Sequence, residues 1–193
     1  MNFQTTFSPD NTSLLEQWGV YEQYHPIVLE AAEKYNIPWQ IIAGVGSRES
    51  HWGLALKPKG PEGTGDFSLR QGSLSPDGLG WGKGLLQIDS YWHDFAKGDL
   101  WKIPQENIMY GVSLLSKNLL DLRRAALSRS EIQVLTDDGI LRAAIAGYNA
   151  GISAIKRAIC AGRSIDSCTT GRDYSADVLN LSGWFQEKAL VHG

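Results

Sequence analysis

The sequence lacks a long hydrophobic run. No segment approaches the ~20 consecutive apolar residues that a helix needs to cross a bilayer, so we expect no membrane span. The first residues, Met1 to Thr6, have neither the basic stretch nor the apolar stretch of a signal peptide. A removed leader would leave the same sequence, so this observation leaves the compartment open.

Basic charge is also scarce. Lys and Arg together number 18 against 21 Asp and Glu, which gives a formal net charge of −3. Proteins that bind nucleic acid usually carry a basic stripe, whereas the densest basic spot here is the pair Arg123-Arg124 on a predicted helix. Such a pair is typical of a solvated helix face, so we expect no nucleic-acid partner.

Cysteines and cofactor motifs are few. The two cysteines, Cys160 and Cys168, have no histidine at zinc-site spacing, and a disulfide and two free thiols are both open interpretations. The run Gly82-Lys83-Gly84 lacks the Ser or Thr of a phosphate-binding loop, and the sequence has no Rossmann fingerprint. We therefore expect neither a metal nor a cofactor.

Helical periodicity dominates most of the chain. With 193 residues, 42% of them hydrophobic, the chain is long enough for one domain with a substantial core. In most segments apolar residues recur every three or four positions, which is the spacing of an amphipathic helix. The predicted helices cover residues 25–35, 38–50, 104–127, 137 or 138 to 149, 152–159 and 173–189. The helix that ends at residue 149 is expected to be capped by Asp137 or Asp138. The expected fold class is mainly α.

Residues 53–84 have a different composition. They hold nine glycines and three prolines, with few β-branched residues. Long irregular segments in compact domains tend to be functional or disordered, and apolar segments flank this one on both sides. We expect a long irregular loop, with room for a short β-hairpin, that lines a cleft.

Glu49 is the first candidate catalytic residue. Ile42, Val45 and Glu49 are spaced by three and four, so the carboxyl projects from the apolar face of a predicted buried helix. Burial and the negative end of the helix dipole both raise a carboxyl pKa, and a carboxyl that is protonated near neutral pH can act as a general acid. The alternative is a helix-end glutamate paired with Arg48 or His51.

Asp77 and Asp89 flank a glycine-rich strip. The four glycines between residues 78 and 84 allow the backbone to approach a ligand closely. The two carboxylates could take part in chemistry beside that ligand, or they could simply cap turns. The residues alone leave both interpretations open.

A tyrosine and an asparagine lie together at the end of the helix predicted to finish at residue 149. Tyr148 and Asn149 place a phenol and an amide at the rim of the core, where both can hydrogen-bond a polar ligand. The alternative is a buried tyrosine followed by an asparagine C-cap. Tyr174, in the last predicted helix, is a further candidate that could equally be a core aromatic residue.

Four motifs occur in the order found in one enzyme family. They are Ser47-Arg48-Glu49-Ser50-His51, Gly84-Leu85-Leu86-Gln87-Ile88-Asp89, Gly147-Tyr148-Asn149-Ala150-Gly151 and Thr169-Thr170-Gly171-Arg172-Asp173-Tyr174. With them the sequence resembles the goose-type branch of the goose-type lysozyme and soluble lytic transglycosylase family, over about residues 24–184. The resemblance implies one lysozyme-like catalytic domain over residues 1–193, with 1–23 as an N-terminal extension and 24–189 as the family-matching core.

The resemblance also implies roles for particular residues. Glu49 matches the catalytic acid, Asp89 matches the aspartate that ends the second motif, and Asp77 aligns with the other goose-type aspartate across a gap. The substrate-binding residues that it implies are Ser50, Gln87, Tyr148, Asn149 and Tyr174. Three features depart from the family pattern: a longer loop over residues 53–82, Gly147 in place of the common alanine, and an acidic charge balance.

The implied activity is that of a muramidase, which hydrolyses the β-1,4 bond between N-acetylmuramic acid and N-acetylglucosamine in peptidoglycan. Glu49 would protonate the leaving oxygen, and Asp89 with Asp77 would orient a water for attack with inversion. A lytic transglycosylase, which needs only Glu49 and leaves 1,6-anhydro ends, and a non-catalytic glycan-binding protein are the alternatives. The expected partner is a peptidoglycan glycan strand, bound by a monomer that acts on the cell wall as an extracellular or exported protein with a bacteriolytic, antimicrobial effect.

Overall fold

The structure, a computed structural model, describes residues 2–192 of the chain. Within these residues the α-helices are α1 (Thr12–Tyr21), α2 (His25–Tyr35), α3 (Trp39–Ser50), α4 (Pro104–Ala126), α5 (Ser130–Gln133), α6 (Asp137–Ala150), α7 (Ile152–Cys160) and α8 (Tyr174–His192). Short 3₁₀ helices cover Asp94–Lys97, Leu100–Lys102, Ile165–Cys168 and Thr170–Arg172. The predicted mainly α fold class is confirmed.

Proline and asparagine set the boundary between α2 and α3. Asn36 ends α2 in a left-handed conformation with φ of 51°, which asparagine tolerates better than most residues. The prediction that Pro38 is the first residue of α3 is wrong by one position. Pro38 has an extended ψ of 130°, so the helix begins at Trp39.

A threonine hydroxyl begins α6. The prediction of a cap at Asp137 or Asp138 is wrong, because the hydroxyl of Thr136 accepts a 3.1 Å hydrogen bond from the backbone N–H of Gly139. Both aspartates lie instead in the first turn of the helix. Their negative charges are favourable there, since the helix dipole is positive at its N-terminus.

Helix α1 has no counterpart among the predicted helices. Leu14, Trp18 and Tyr21 are its buried hydrophobic residues. The side chain of Asn11 caps the helix by accepting a 3.1 Å hydrogen bond from the N–H of Leu14. α1 therefore contributes to the core even though it lies within the expected N-terminal extension.

The segment before α1 lies along α8. The backbone N–H of Thr6 donates a 2.7 Å hydrogen bond to the Asn180 side chain, and the indole N–H of Trp184 donates a 2.9 Å bond to the Ser8 carbonyl oxygen. The first described residues thus pack against the C-terminal helix. The division of residues 1–193 into an extension and a family-matching core stays a prediction.

Helices α3 and α8 pack closely in the centre of the fold. A Cβ at Gly44 would lie 2.5 Å from the Val178 carbonyl oxygen, so any larger residue there would force the two helices apart. A hydrophobic cluster joins buried side chains from all eight helices of the described chain. Each fully buried aliphatic or aromatic side chain in it contributes roughly 1.5–3 kcal/mol, and this framework holds α3, which carries Glu49.

The glycine-rich region forms a small antiparallel sheet. Its strands are β1 (Thr64–Gly65), β2 (Gly82–Lys83) and β3 (Ile88–Asp89), in the order β1-β2-β3. Thr64 pairs with Lys83, and Gly82 pairs with Asp89. The expected hairpin is therefore present, and a long loop over residues 66–81 connects β1 to β2.

Two further expectations concern spans and cysteines. Among residues 2–192, no helix combines the length and the apolar character that a membrane crossing requires. Cys160 and Cys168 are both free thiols, which resolves the two interpretations left open by the sequence.

Candidate active site

A cleft of about 910 Å³ opens beside the end of α3. It is bounded by the sheet, by α4, and by the end of α6 with the start of α7. The polar and aromatic side chains along it are Glu49, Asp66, Arg70, Gln87, Asp89, Trp92, His93, Lys117, Asn118, Asp121, Tyr148, Asn149, Ser153, Arg157 and Thr170. The cleft thus brings together most of the residues that the sequence motifs singled out.

Glu49 lies in the last turn of α3 and is partly exposed to the cleft. Burial of its carboxyl raises the pKa of Glu49 to about 7, and this rise is opposed by a hydrogen bond from Tyr174 and by the charge of Arg48. The Tyr174 hydroxyl donates to Oε1 of Glu49. A large part of the Glu49 population therefore carries a proton near neutral pH, as a general acid must.

Arg48 and Tyr174 surround Glu49 in a fixed arrangement. Of the described carboxylates, Arg48 pairs with Asp177 at 2.8 Å and with Asp173 at 3.0 Å rather than with Glu49. Its guanidinium lies 5.9 Å from the centre of the Tyr174 ring, and Tyr174 is only 2% exposed. This geometry argues against the interpretation of Glu49 as the partner of Arg48, and it places Tyr174 behind the Glu49 carboxyl.

Three polar side chains from different helices hold the strip 82–89. Asn107 of α4 accepts a 2.9 Å hydrogen bond from the N–H of Leu86 and donates a 3.0 Å bond to the Lys83 carbonyl oxygen. The hydroxyls of Tyr148 and Ser50 donate to the carbonyl oxygens of Leu86 and Leu85, at 2.7 Å and 2.6 Å respectively. Because buried backbone groups must be paired, these bonds fix the strip against the helices.

Glycine at position 84 is required by this arrangement. Gly84 has φ of +70°, and a Cβ there would meet the Asn107 amide. The residue therefore supplies both the left-handed turn between β2 and β3 and the close approach of the strip to α4.

The predicted substrate-binding residues divide into two groups. Gln87 and Asn149 line the cleft, with side chains that also bond the Gly84 carbonyl oxygen and the Thr170 N–H, each at 2.8 Å. Ser50 is 1% exposed and lies beneath the strip. Tyr148 reaches the cleft, but its hydroxyl is committed to the strip.

Asp89 lies in the cleft together with an aspartate that the sequence analysis did not select. Arg70 Nη1 is 2.5 Å from Oδ2 of Asp89, and Nη2 of the same guanidinium bonds Oδ2 of Asp66. The other oxygen of Asp89 accepts a 2.8 Å bond from the N–H of Tyr91, and the other oxygen of Asp66 accepts bonds from the N–H and hydroxyl of Ser68. We call Asp66, Arg70 and Asp89 the aspartate cluster.

The charge state of Asp66 differs from that of Glu49. Although partial burial opposes ionisation, hydrogen bonds from Ser68 and Arg70 lower the pKa of Asp66 below its ordinary value. Asp66 is thus a carboxylate at the pH where Glu49 is partly protonated.

The structure places Asp77 apart from this cluster. Among the described residues, the cleft lining includes Asp66 and Asp89 but not Asp77. Asp77 instead lies 2.6 Å from the ammonium of Lys83, a side chain that is fully buried. Hydrogen bonds from Lys83 and from the N–H of Leu79 outweigh the effect of burial and lower the pKa of Asp77. In this position Asp77 anchors the loop outside the cleft that Asp66 and Asp89 line. A catalytic role for Asp77 stays a prediction.

Aromatic side chains line one part of the cleft. Trp92 is 73% exposed there, which is unusual for a large apolar side chain and leaves a flat aromatic face open to the cleft. His93 lies next to it, with Nδ1 3.2 Å from the hydroxyl of Tyr110, and burial lowers the pKa of His93. Within residues 2–192 the acidic, histidine and cysteine side chains form no group of three or more that could hold a metal ion.

The structure reveals site residues that sequence reasoning missed. Asp66 and Arg70 fall in the glycine-rich loop, where no periodicity marks a side chain as inward or outward. Asn107 could have been found from the sequence, because it is a polar residue beside the apolar stripe of α4 that begins at Ile108. Such a residue is 0% exposed here and needs bonding partners.

The sequence matches the family described as Lysozyme g over residues 17–189. A Lysozyme g of Gallus gallus is 27% identical over 169 residues, which cover 88% of this chain and 66% of the relative. A Lysozyme g of Cyprinus carpio is 25% identical over 167 residues, covering 86% of this chain and 75% of the relative. One of Takifugu rubripes is 26% identical over 179 residues, with coverages of 86% and 75%.

These matches extend over the cleft and both of its carboxylate regions. The chain spans about two thirds to three quarters of the length of these relatives. The matched range contains Glu49, the aspartate cluster and the strip 82–89. The resemblance to goose-type lysozymes is thereby confirmed. The chain belongs to the lysozyme g family, and its relatives indicate glycoside hydrolase activity of the lysozyme type.

Proposed function

We propose that this protein is a muramidase that hydrolyses the β-1,4 bond between N-acetylmuramic acid and N-acetylglucosamine in peptidoglycan. The observation that carries the proposal is a glutamic acid with a pKa of about 7 in the same cleft as two carboxylates held by an arginine. Pairs of carboxyl groups whose surroundings separate their pKa values are typical of glycosidases, with one protonated and one ionised.

In the proposed reaction Glu49 gives its proton to the glycosidic oxygen. The bond between that oxygen and the anomeric carbon breaks, and the electron pair stays on the departing sugar as positive charge develops on the ring. Tyr174 holds Glu49 by its hydrogen bond and lies behind it, out of solvent. This bond orients the acid toward the cleft.

Water is the proposed nucleophile. In an inverting reaction the water oxygen bonds to the anomeric carbon on the face away from the acid, and the water loses a proton to a carboxylate. Asp66 and Asp89 are the candidates for this carboxylate, because both are in the cleft. Gln87 and Asn149 are proposed to contact the sugar, whereas Ser50 and Tyr148 support the strip that carries Asp89.

A specific observation favours a second candidate, a lytic transglycosylase. All four carboxylate oxygens of Asp66 and Asp89 already accept hydrogen bonds from Arg70, Ser68 or Tyr91. Each of these oxygens is therefore already engaged with a protein donor, whereas the transglycosylase route needs no protein base, because the 6-hydroxyl of the muramic acid attacks its own anomeric carbon.

Product analysis separates these functions. Purified peptidoglycan is digested with the protein and with Glu49→Gln, and the fragments are analysed by mass spectrometry and by proton NMR during early turnover. The proposal predicts ordinary reducing ends with inverted anomeric configuration from the wild type. Fragments with 1,6-anhydro ends would establish the transglycosylase instead, and binding without any new fragment would establish a glycan-binding protein.

We further propose that the protein acts as a monomeric single domain. Glu49, Asp66 and Asp89 line one cleft of a single copy, so the reaction proposed above needs no residue from a second copy. Light scattering coupled to size exclusion, at concentrations used for turnover, tests this, and activity that rises faster than protein concentration would contradict it.

A further inference from the structure

Arg70 occupies an unusual place in the cleft. It lies in the long loop 66–81, and its guanidinium contacts both aspartates of the aspartate cluster at once. Its side chain is 25% exposed, and the carboxylates of Asp66 and Asp89 are 39% and 27% exposed. One positive charge therefore lies between two partly buried negative charges, which would otherwise repel each other.

The guanidinium is held in place by more than the two carboxylates. It lies 5.1 Å from the centre of the Trp81 ring and 5.7 Å from that of Tyr91. These two rings meet edge to face, with centroids 5.4 Å apart. Stacking on aromatic faces suits the planar guanidinium and fixes its orientation.

The loop that carries Arg70 is itself tied down. The indole N–H of Trp81 donates a 2.9 Å bond to the Ser68 carbonyl oxygen, and the Gln71 side chain donates a 2.8 Å bond to the Tyr91 hydroxyl. The pair between Asp77 and Lys83 holds the far part of the same loop. The folded loop therefore positions Arg70 in the cleft.

We propose that Arg70 is a positioning residue that holds the carboxylates of Asp66 and Asp89 in one fixed arrangement for glycan cleavage. The proposal rests on the proposed function, since it gives those carboxylates their role. Two guanidinium nitrogens are already engaged with the carboxylates, so Arg70 acts through them more than by binding substrate. Its loss should consequently lower kcat and leave KM nearly unchanged.

Three variants test the proposal on a soluble peptidoglycan fragment that contains the β-1,4 bond between N-acetylmuramic acid and N-acetylglucosamine. Arg70→Ala removes the positive charge and the two guanidinium nitrogens that contact the carboxylates. Arg70→Lys keeps a positive charge, but its single ammonium reaches one carboxylate at a time. Lys97→Ala is the control for the loss of one positive charge, because Lys97 forms an exposed pair with Asp94 at 2.6 Å. Thermal unfolding of each variant establishes that it is folded.

The expected result is a roughly 100-fold fall in kcat for Arg70→Ala, the loss that misplacing a reacting group by about 1 Å produces. KM should change little, Arg70→Lys should be intermediate, and Lys97→Ala should match the wild type. Millimolar guanidinium added to folded Arg70→Ala should restore part of the lost kcat, because it can occupy the vacated position between the carboxylates. A residue that merely stabilised the loop would show no such rescue.

The outcomes separate this inference from the proposed function. If the wild type cleaves glycan, Glu49→Gln is inactive and Arg70→Ala has wild-type kcat, the positioning role is overturned and the muramidase proposal stands. A higher kcat in Arg70→Ala, or a loss confined to KM, also overturns it. If the wild type itself cleaves no glycan, the proposed function fails first.

Discussion

The two carboxyl regions of the cleft are built in contrasting ways. Glu49 lies at the end of a buried helix, and desolvation raises its pKa to about 7. Asp66 and Asp89 lie on short strands and loops, where Arg70 and neighbouring N–H and O–H groups bond to them. Apolar packing produces the first environment, and polar contacts produce the second.

The contrast shows how one small cleft can hold an acid and a carboxylate together. A group kept neutral by burial needs a rigid framework that excludes water, which the helices supply. A group kept ionised, as Asp66 is, needs donors at defined distances, which the loop supplies through Ser68 and Arg70. Each of the following experiments tests one side of this contrast.

Glu49→Gln should have the largest effect. The amide keeps the volume of the side chain but has no proton to deliver, so kcat should fall by about 10²–10⁴-fold, the usual contribution of general acid catalysis. Release of new chain ends from peptidoglycan measures the loss. Glu33→Gln, at an exposed position on α2, is the control, and activity of Glu49→Gln within tenfold of wild type would contradict the acid role.

Substitutions in the aspartate cluster should have the next largest effects. Asp89→Asn and Asp66→Asn should each slow hydrolysis strongly, and the double variant should lose less than the product of the two losses, since the residues act as a unit. Single-turnover rates on a soluble peptidoglycan fragment provide the comparison. Near-normal rates in all three variants, beside an inactive Glu49→Gln, would show that no protein base is needed and would support the transglycosylase.

Tyr174→Phe should move the pH profile. The proposed reaction requires protonated Glu49, so kcat/KM should fall as pH rises through about 7. The Tyr174 hydrogen bond lowers the pKa of Glu49, and its removal should move this falling limb to higher pH. Tyr35→Phe, at the end of α2, is the matched control, and a limb that stays in place would contradict the role of Tyr174.

The raised pKa of Glu49 should also make the free energy of unfolding depend on pH. The folded-state pKa of Glu49 is raised above the ordinary value of 4.5, so the folded protein binds more protons than the unfolded chain. The contribution of Glu49 to stability is then fully present below about pH 4.5 and is lost as pH rises through about 7. Denaturant unfolding of wild type and Glu49→Gln across this range should converge at low pH and diverge above it, and parallel curves would contradict the assignment.

Asp77→Asn should have the smallest effect on turnover. It removes the charge that pairs with the buried ammonium of Lys83, at a site where Asp77 itself is half exposed. We expect a cost on the order of 1 kcal/mol, which lowers the unfolding midpoint by about 2–4 °C for a chain of this size. Calorimetry and turnover measured together would decide, and a loss of kcat as large as that of Asp89→Asn would return Asp77 to the catalytic group.

The helices and the motif residues are the features of this fold that could be predicted from the sequence. The spacing of Ile42, Val45 and Glu49 predicts the helix, its burial and the direction of the Glu49 pKa, because one helix face is enough to establish all three. The start of α3 was predicted one residue too early, and α6 is capped by Thr136 rather than by one of the two aspartates that follow it. Both errors arise because helix boundaries depend on local backbone torsions. The helix over 12–21 was missed although Leu14, Trp18 and Tyr21 recur at helical spacing. Its aromatic side chains pack against Phe185 of α8.

The conformation of the loop 66–81 could not be predicted from the sequence in the same way. The choice between Asp66 and Asp77 depends on which carboxylate the fold of residues 66–81 brings to Asp89. Glycine-rich segments carry no periodicity from which to derive that fold. Arg70 could be assigned only once its two partners were seen. Asp66 lies four positions before it in a loop that is not helical, and Asp89 lies 19 positions after it, so neither spacing indicates a contact.

The exposure of Trp92 has a practical consequence for measuring affinity. In the described part of the chain Trp18, Trp52, Trp81, Trp101 and Trp184 are buried, and their fluorescence depends on the intact core. Trp92 lies in the cleft with 73% of its surface in water, so a bound sugar that covers the indole would shift its emission to shorter wavelength. In Glu49→Gln, which we expect to be inactive, glycan binding could then be measured by intrinsic fluorescence titration. The measurement would be independent of turnover and would need no added label.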